Sequence, residues 1–146
     1  MKVFHIRVFF LFAIFFLSCG RDKFCDVRLP EKDLMIYSQL GNYLSKDSSI
    51  EGTVRLKQQS EKIQDLIKEL TLKPKTIFID RYYGEVYFQG VKEQKTWYME
   101  HDYLSFIYVV DTNVVPTWDG EDKQFILNFQ NKISDHLYLR SVTMQN

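Results

Sequence analysis

Cysteine, proline, histidine and glycine are all scarce in this chain of 146 residues, which holds two, three, three and six of them. Glycine-rich loops that cradle phosphate groups need closely spaced glycines, and no such motif is present. Few histidines and cysteines leave little from which to build a metal centre. The formal net charge is zero, so there is no basic field to attract nucleic acid. We therefore expect no cofactor, no metal ligand and no nucleic-acid partner.

Long hydrophobic runs are also lacking, because the longest apolar stretch is too short to span a membrane. It reads VFFLFAIFFL from Val8 to Leu17, and only Lys2 and Arg7 carry charge before it. A helix of this length extends about 15 Å, whereas a membrane-spanning helix needs about 20 residues. A basic start, a short apolar middle and a small residue are typical of a secretory signal peptide. We predict that residues 1–18 are a signal peptide.

The residues that follow this run indicate how the peptide is cut. The sequence Phe16-Leu17-Ser18-Cys19-Gly20 resembles the lipobox of bacterial lipoproteins, with Phe16 where that family usually has Leu. This resemblance covers only the amino-terminal end of the chain. It implies cleavage between Ser18 and Cys19, a thioether-linked diacylglycerol on Cys19 and acylation of the new amino terminus. More than one acyl chain is needed for a stable membrane anchor. The implied location is the bacterial envelope, on the outer membrane facing the periplasm or the cell surface.

Two alternatives for Cys19 stay open. The protein could be an ordinary secreted chain in which Cys19 is incidental, or the apolar run could be a plain anchor helix. With lipid on Cys19, Cys25 has no internal partner; we expect a free thiol, and a disulfide to another chain is the alternative. Without the lipid, a disulfide between Cys19 and Cys25 becomes possible. Residues 19–29 show no hydrophobic period, and we interpret them as a short tether of at most about 35 Å.

Helical periodicity begins at Pro30. Proline suits the first helical position because its missing N–H would be unpaired there. The acidic side chains of Glu31 and Asp33 are also favoured there, because the amino-terminal end of the helix dipole is positive. Apolar residues then recur at helical spacing as far as Leu44, and Lys46 lies near the predicted end.

A second helix is predicted directly after the first. Ser48-x-x-Glu51 fits a capping box, and Pro74 lies just beyond the predicted end. The residues between them are good helix formers. They carry one apolar stripe, formed by Leu56, Ile63, Leu66, Ile67 and Leu70.

After Pro74 the hydrophobic period changes from about 3.6 residues to 2, which indicates β-strands. Gly84 is interpreted as a turn and Gly90 as the end of a strand. The predicted strands lie at 76–83, 85–89, 96–101, 103–110, 124–129 and 136–143. We therefore predict one α+β domain over residues 30–146, with two N-terminal helices packed on a five- to six-stranded antiparallel meander sheet. One face of the fourth run is expected to hold Leu104, Phe106, Tyr108 and Val110.

The helices are expected to cover one face of this sheet and to leave the other face in water. Polar aromatic residues predicted on that second face are Tyr83, Tyr87, Tyr98 and Tyr138. The irregular stretch at 111–123 combines Pro116, Trp118 and the turn at Asp119, a composition typical of contact loops. An alternative is that Trp118 folds back and plugs one end of the sheet. The candidate contacts for a protein partner are Trp118, Asp119, Tyr83 and Tyr98.

Nothing in the sequence favours catalysis. No nucleophile stands in a recognisable motif with a base. His101 and His136 could meet across the sheet, although no spacing requires it. The acidic residues from Asp119 onward lack the spacing of a calcium loop. We expect no catalytic residue and interpret the chain as a non-enzyme.

Three functions remain as hypotheses. The first is a membrane-anchored envelope lipoprotein that acts as a non-catalytic protein-binding module, such as an immunity protein or an envelope-accessory protein. The second is a carrier lipoprotein that holds a small ligand against its curved sheet. The third, an enzyme, has the least support from the residues present.

Overall fold

A computed structural model describes residues 29–95, 101–116 and 125–144. Within these ranges two α-helices precede five long antiparallel strands, and a short strand and a 3-10 helix lie between the helices. The predicted α+β class is confirmed. The helices are α1 (Glu31–Lys46) and α2 (Glu61–Glu69), and the 3-10 helix is Leu56–Gln58. The strands are β1 (Gly52–Thr53), β2 (Thr76–Asp80), β3 (Glu85–Lys95), β4 (His101–Val109), β5 (Phe125–Lys132) and β6 (Leu137–Met144).

The sheet follows a meander except at its last two strands. Its order is β1-β2-β3-β4-β6-β5, so β6 lies inside the sheet and β5 forms the edge. The composition of β5 and β6 explains why β6, and not β5, lies next to β4. Leu137 and Leu139 of β6 are buried, whereas β5 alternates between half-buried and exposed positions. The more apolar strand therefore occupies the interior position, where both of its neighbours shield it from water.

Helix α1 forms where the sequence predicted it and buries one face against the sheet. Its acidic first turn and Lys46 in its last turn match the helix dipole. Ile36, Tyr37, Leu40 and Leu44 are buried at helical spacing. The Tyr37 ring lies 4.9 Å from Phe88 and 4.4 Å from Phe106, between centroids. Burial of each such side chain stabilises the fold by about 1.5–3 kcal/mol.

The predicted capping box at Ser48 and Glu51 is wrong. Asp47 instead accepts hydrogen bonds from the backbone N–H and the hydroxyl of Ser49, which makes an Asx turn that ends α1. Gly52 then has a φ of 73° and pairs with Ile79 of β2, which no helix permits. Helix α2 begins only after Ser60. The predicted apolar stripe does face the core, because Ile63, Ile67 and Leu70 are buried and Leu56 and Leu66 pack against them.

Two long-range hydrogen-bond sets fix the ends of α1. At its amino-terminal end, the buried Asp33 carboxylate accepts the N–H groups of Thr71 and Leu72 at 3.0 and 2.7 Å, and the Tyr37 hydroxyl donates to the Leu72 carbonyl. At its carboxyl-terminal end, the Arg81 guanidinium donates to main-chain carbonyls of the last helical turn and of the turn that follows the helix. Those acceptors include Leu44, Ser45, Asp47 and Ile50.

Several strand boundaries differ from the predicted ones. Strand β2 ends at Asp80, and a turn leads to Gly84, whose φ of 66° confirms the predicted turn there. Gly90 does not end a strand, because β3 continues through it. Val110 lies beyond the end of β4 and is half exposed, so the prediction that it shares one strand face with Leu104 is wrong. Of the predicted strand at 96–101, only His101 is among the described residues.

No helix among the described residues is long and apolar enough to cross a bilayer. The main hydrophobic core of the described residues lies between the helices and one face of the sheet. A second, smaller apolar cluster lies on the opposite face and consists of Ile107, Val109 and Tyr138, with Tyr87 packed against it.

Gly41 is expected to be irreplaceable at the contact between α1 and β4. A Cβ at this position would lie 2.1 Å from Cγ of Tyr108, and that ring stacks on His136 at 5.4 Å and has little room to move. Gly41→Ala should lower the free energy of unfolding by about 1–3 kcal/mol through this overlap, although alanine in a helix is otherwise favoured over glycine by about 1 kcal/mol. Chemical denaturation measures the change. The exposed neighbour substitution Asn42→Ala is the control and should have little effect. A higher midpoint for Gly41→Ala would contradict the close packing.

The stability of the fold is expected to fall at alkaline pH through Tyr37. Burial, and secondly the nearby Asp33 carboxylate, raise the pKa of this phenol well above its ordinary value. A pKa raised in the folded state means that the stabilisation is complete below the ordinary pKa of about 10 and is lost as the pH rises above it. Tyr37→Phe should lose about 1 kcal/mol at neutral pH with its hydrogen bond, and should show a shallower decline above about pH 10. Denaturation curves from neutral to alkaline pH measure the loss at neutral pH and the decline above about pH 10. Parallel declines in the wild-type protein and Tyr37→Phe would contradict the role of Tyr37 in the alkaline loss of stability.

Candidate groove on the helix-free face

A half-open groove of about 550 Å³ lies on the sheet face that the helices leave uncovered. Strand alternation explains which side chains reach it. Val86 and Phe88 of β3 point into the core, so Tyr87 between them and Gln89 beyond point into the groove. In β4 the core residues are Leu104 and Phe106, and the groove receives Tyr103, Ser105 and Ile107.

A bulge in β3 bends the sheet beside this groove. Phe88 pairs with Phe106 and Lys92 with Leu104, so β3 advances by more residues than β4 over the same distance. Gly90 lies inside the bulge with a φ of 66°, a conformation that glycine adopts without strain. Its N–H donates to the Ser105 hydroxyl at 3.4 Å. Such bulges bend a strand and increase its local twist, and Gly90 in this bulge lines the groove.

Arg140 forms part of the groove floor and ties three segments together. The residue is only 6% exposed. Its Nε donates to Oε1 of Gln130 on β5 at 2.7 Å, and an Nη donates to the carbonyl of Pro116 at 3.5 Å. Its guanidinium carbon lies 5.9 Å from the Tyr87 ring centroid, within the range of a cation–π contact. Gln130 also donates to Pro116, so the connection after β4 is held against the groove.

Glu85 and Tyr87 make a buried polar pair next to Arg140. Glu85 is 1% exposed, and the Tyr87 hydroxyl donates to its Oε2. Burial, followed by this hydrogen bond and the charge of Glu85, raises the pKa of Tyr87 well above its usual range. The phenol therefore stays protonated at neutral pH and acts as a hydrogen-bond donor, which does not suit the role of a base or a nucleophile.

One end of the groove adjoins an exposed aromatic turn. Tyr82 is 88% exposed and Tyr83, which lines the groove, is 41% exposed. Their rings pack edge to face at 4.8 Å. Asp80 holds this turn by accepting the N–H groups of Tyr82 and Tyr83 at 3.0 and 3.1 Å. Val110, which is half exposed, donates its N–H to the Gly84 carbonyl, so the segment after β4 lies against the same turn. We call Tyr82, Tyr83 and Val110 the tyrosine tip.

The predicted site residues have different outcomes. Tyr83 lies at the mouth of the groove, and Tyr87 points to the helix-free face as expected. Tyr138 is on that face too, but it is 5% exposed and packs against Ile107 and Val109. Its predicted exposure to water is therefore wrong. Outside the described residues lie Ser18, Cys19, Tyr98, Trp118 and Asp119.

The two histidines lie at opposite ends of β4 and do not meet. His101 pairs with Met144 at the end of β6, whereas His136 precedes the first residue of β6 and contacts the Val109 carbonyl through its Nδ1 at 2.8 Å. No group of three or more potential metal-binding side chains occurs in the described part of the chain.

Sequence reasoning missed the groove and the role of Arg140. A signal for Arg140 was present, because the one charged residue of this strand, on the same face as Tyr138, requires partners when it is buried. The groove itself had no local signal, since its walls come from five separate strands.

The chain was also compared with known proteins. No protein-family model, no curated protein and no solved structure matches it.

Proposed function

We propose that this protein is a non-catalytic binding module of the bacterial envelope, anchored by lipid on Cys19, which holds part of a partner protein in the groove on its helix-free face. The observation that carries the proposal is the groove itself, which is concave, half open and about 550 Å³ in volume. A sheet face that helices leave uncovered and that carries such a groove is suited to receive another chain.

The side chains around the groove favour a protein as the occupant. Tyr83, Tyr87 and Tyr103 all line it, and tyrosine is enriched at the energetic centres of protein interfaces. Tyr82 and Val110 add apolar surface beyond the groove mouth. A small ligand held in the groove could not also contact these two residues. Tyr83 belongs to both the groove and the tyrosine tip, so the two adjoin each other.

Internal bonding of the titratable groups supports a role without chemistry. Tyr87 donates to Glu85, and Arg140 donates to Gln130 and Pro116. These groups hold the walls of the groove together, and a catalytic acid or base would need to reach a substrate.

A second candidate function is a carrier for a small ligand. The groove volume falls within the range of roughly 300–1,000 Å³ that is usual for small-molecule sites. Native mass spectrometry of the purified protein separates the two functions, because a carrier retains a stoichiometric small molecule and a protein-binding module does not.

Site-specific photo-crosslinking in intact cells tests the proposed contact surface. A photoreactive residue at Gln89, which is exposed within the groove, and another at Tyr82 should each form an adduct with the same partner protein. The matched control is Gln39, which is exposed on α1 and faces away from the sheet. It should give no such adduct. Adducts of equal yield from all three positions, or none from Gln89, would contradict a partner site in the groove.

The lipid anchor is tested by mass spectrometry of the mature protein. We expect the first residue to be Cys19, carrying the mass of a diacylglycerol and an amide-linked acyl chain. Cys19→Ser should abolish both the lipid and the cleavage, whereas the matched variant Cys25→Ser should retain them. A mature chain that begins at Met1, or that has an unmodified Cys19, would overturn the anchor.

A further inference from the structure

Strand β5 forms a long outer edge of the sheet and lacks the features that usually keep an edge from pairing. Its eight residues include no proline and a single charged residue, Lys132, at the end. The opposite edge strand, β1, is only two residues long. Beyond Gln89, where its pairing with β2 stops, β3 carries three charged residues, which are Lys92, Glu93 and Lys95. Short or charged edges discourage pairing with other chains, so among the described strands β5 is the edge suited to accept one.

A bulge at Asn128 leaves this edge accessible. The register of β5 against β6 shifts between Leu127 and Phe129, which places the extra residue between them. The Asn128 side chain turns back over β6, where it donates to the hydroxyls of Ser141 and Thr143 at 3.2 and 2.9 Å. It therefore lies over its own sheet and not in the path of a strand that approaches β5.

The backbone of β5 directs hydrogen-bonding groups outward at alternate residues. Ile133, just beyond β5, donates its N–H to the Leu137 carbonyl of β6 at 2.8 Å. Because bonded and non-bonded pairs alternate in an antiparallel ladder, Ser141 of β6 also bonds towards β5, and Phe129 opposite it points inward. The residues opposite the intervening positions of β6 direct their N–H and C=O groups away from it, and they include Leu127, Gln130 and Lys132. Only another extended backbone can match such a row of donors and acceptors at strand spacing.

Apolar side chains lie on both faces of the sheet beside this edge. Phe125 lines the groove. Ile126 points to the opposite face, because side chains alternate along a strand, and it is 45% exposed. A strand paired with β5 at this point would place one side chain beside Phe125 and the next beside Ile126. We therefore expect the incoming strand to carry apolar residues at successive positions there.

The size of the edge shows that pairing alone could not hold a partner. Eight residues extend about 27 Å along a sheet layer about 10 Å thick, so pairing buries roughly 270 Å² on each chain. A stable interface buries about 1,200–2,000 Å² over both chains. A second copy of this chain that paired only through β5 would therefore fall short by more than half. A partner that also enters the groove would make the further contacts, because the groove adjoins this edge at Phe125.

We propose that β5 accepts an extended strand of the partner protein, which joins the sheet through main-chain hydrogen bonds while an adjoining part of the partner occupies the groove. This inference rests on the proposed protein-binding function and specifies how the partner is held.

Photo-crosslinking at the edge tests whether the partner reaches β5. A photoreactive residue at Ile126 in intact cells should give an adduct with the same protein that is crosslinked from Gln89. The control position is Met35, which is also an exposed apolar residue but lies on α1. It should give no such adduct.

A matched pair of substitutions tests whether main-chain hydrogen bonds hold the strand. Leu127→Pro removes an outward N–H, which an edge strand tolerates, whereas Leu127→Ala loses the same side chain and keeps the N–H. Leu127→Pro should lower the yield of the Gln89 adduct about tenfold below that of Leu127→Ala. Chemical denaturation of both variants checks that they fold. If Leu127→Pro does not fold, Lys132→Pro and Lys132→Ala provide the same comparison at an exposed position with an outward N–H, and the same direction of change is expected.

The outcomes separate this inference from the function on which it rests. Equal yields of the Gln89 adduct from the folded proline and alanine variants would overturn the inference while the proposed function stands. An adduct from Ile126 that contains only two copies of this chain would assign the edge to a dimer and would also overturn it. Loss of the Gln89 adduct in the otherwise wild-type protein would overturn the proposed function itself.

Discussion

The close approach of α1 to β4 is the contact on which the rest of the structure depends. Gly41 lets the helix backbone touch the Tyr108 ring, and Tyr37 inserts between Phe88 and Phe106. Asp33 and Arg81 then hold the two ends of the helix to the loop after α2 and to the end of β2. These contacts hold the helices against one face of the sheet. The bulge in β3 can therefore alter the other face without exposing the core to water.

The two faces of the sheet use polar groups differently. On the helix side, buried polar groups join neighbouring segments of the domain, as Asp33 does with Thr71 and Leu72. On the groove side, Arg140 lines the groove and links β6, β5 and the connection after β4. A buried arginine held by oriented acceptors keeps the wall of the groove in one arrangement, which lowers the entropy lost when a partner binds.

The class of the fold followed from the sequence because hydrophobic periodicity is a local property that survives packing. The helix at 31–46, the switch to strands after Pro74 and the turn at Gly84 all have local signals. The errors arose where distant residues decide. Gly52 pairs with β2, which follows it by more than twenty residues. Strand β3 continues through Gly90 because it pairs with β4 on both sides of the bulge. The order of β5 and β6 likewise depends on which strand is better shielded, and the groove depends on all these choices together.

The bond between Arg81 and the end of α1 has a consequence for how the molecule would stand on a bilayer. It fixes the tyrosine tip beside the carboxyl-terminal end of a 16-residue helix, about 24 Å from Pro30, where the chain enters the domain. In a protein anchored through Cys19, the tether would therefore join the domain at the amino-terminal end of α1, whereas the tyrosine tip lies at the carboxyl-terminal end. A tether that ends at Pro30 would thus leave the tyrosine tip at the end of α1 that is farther from the lipid.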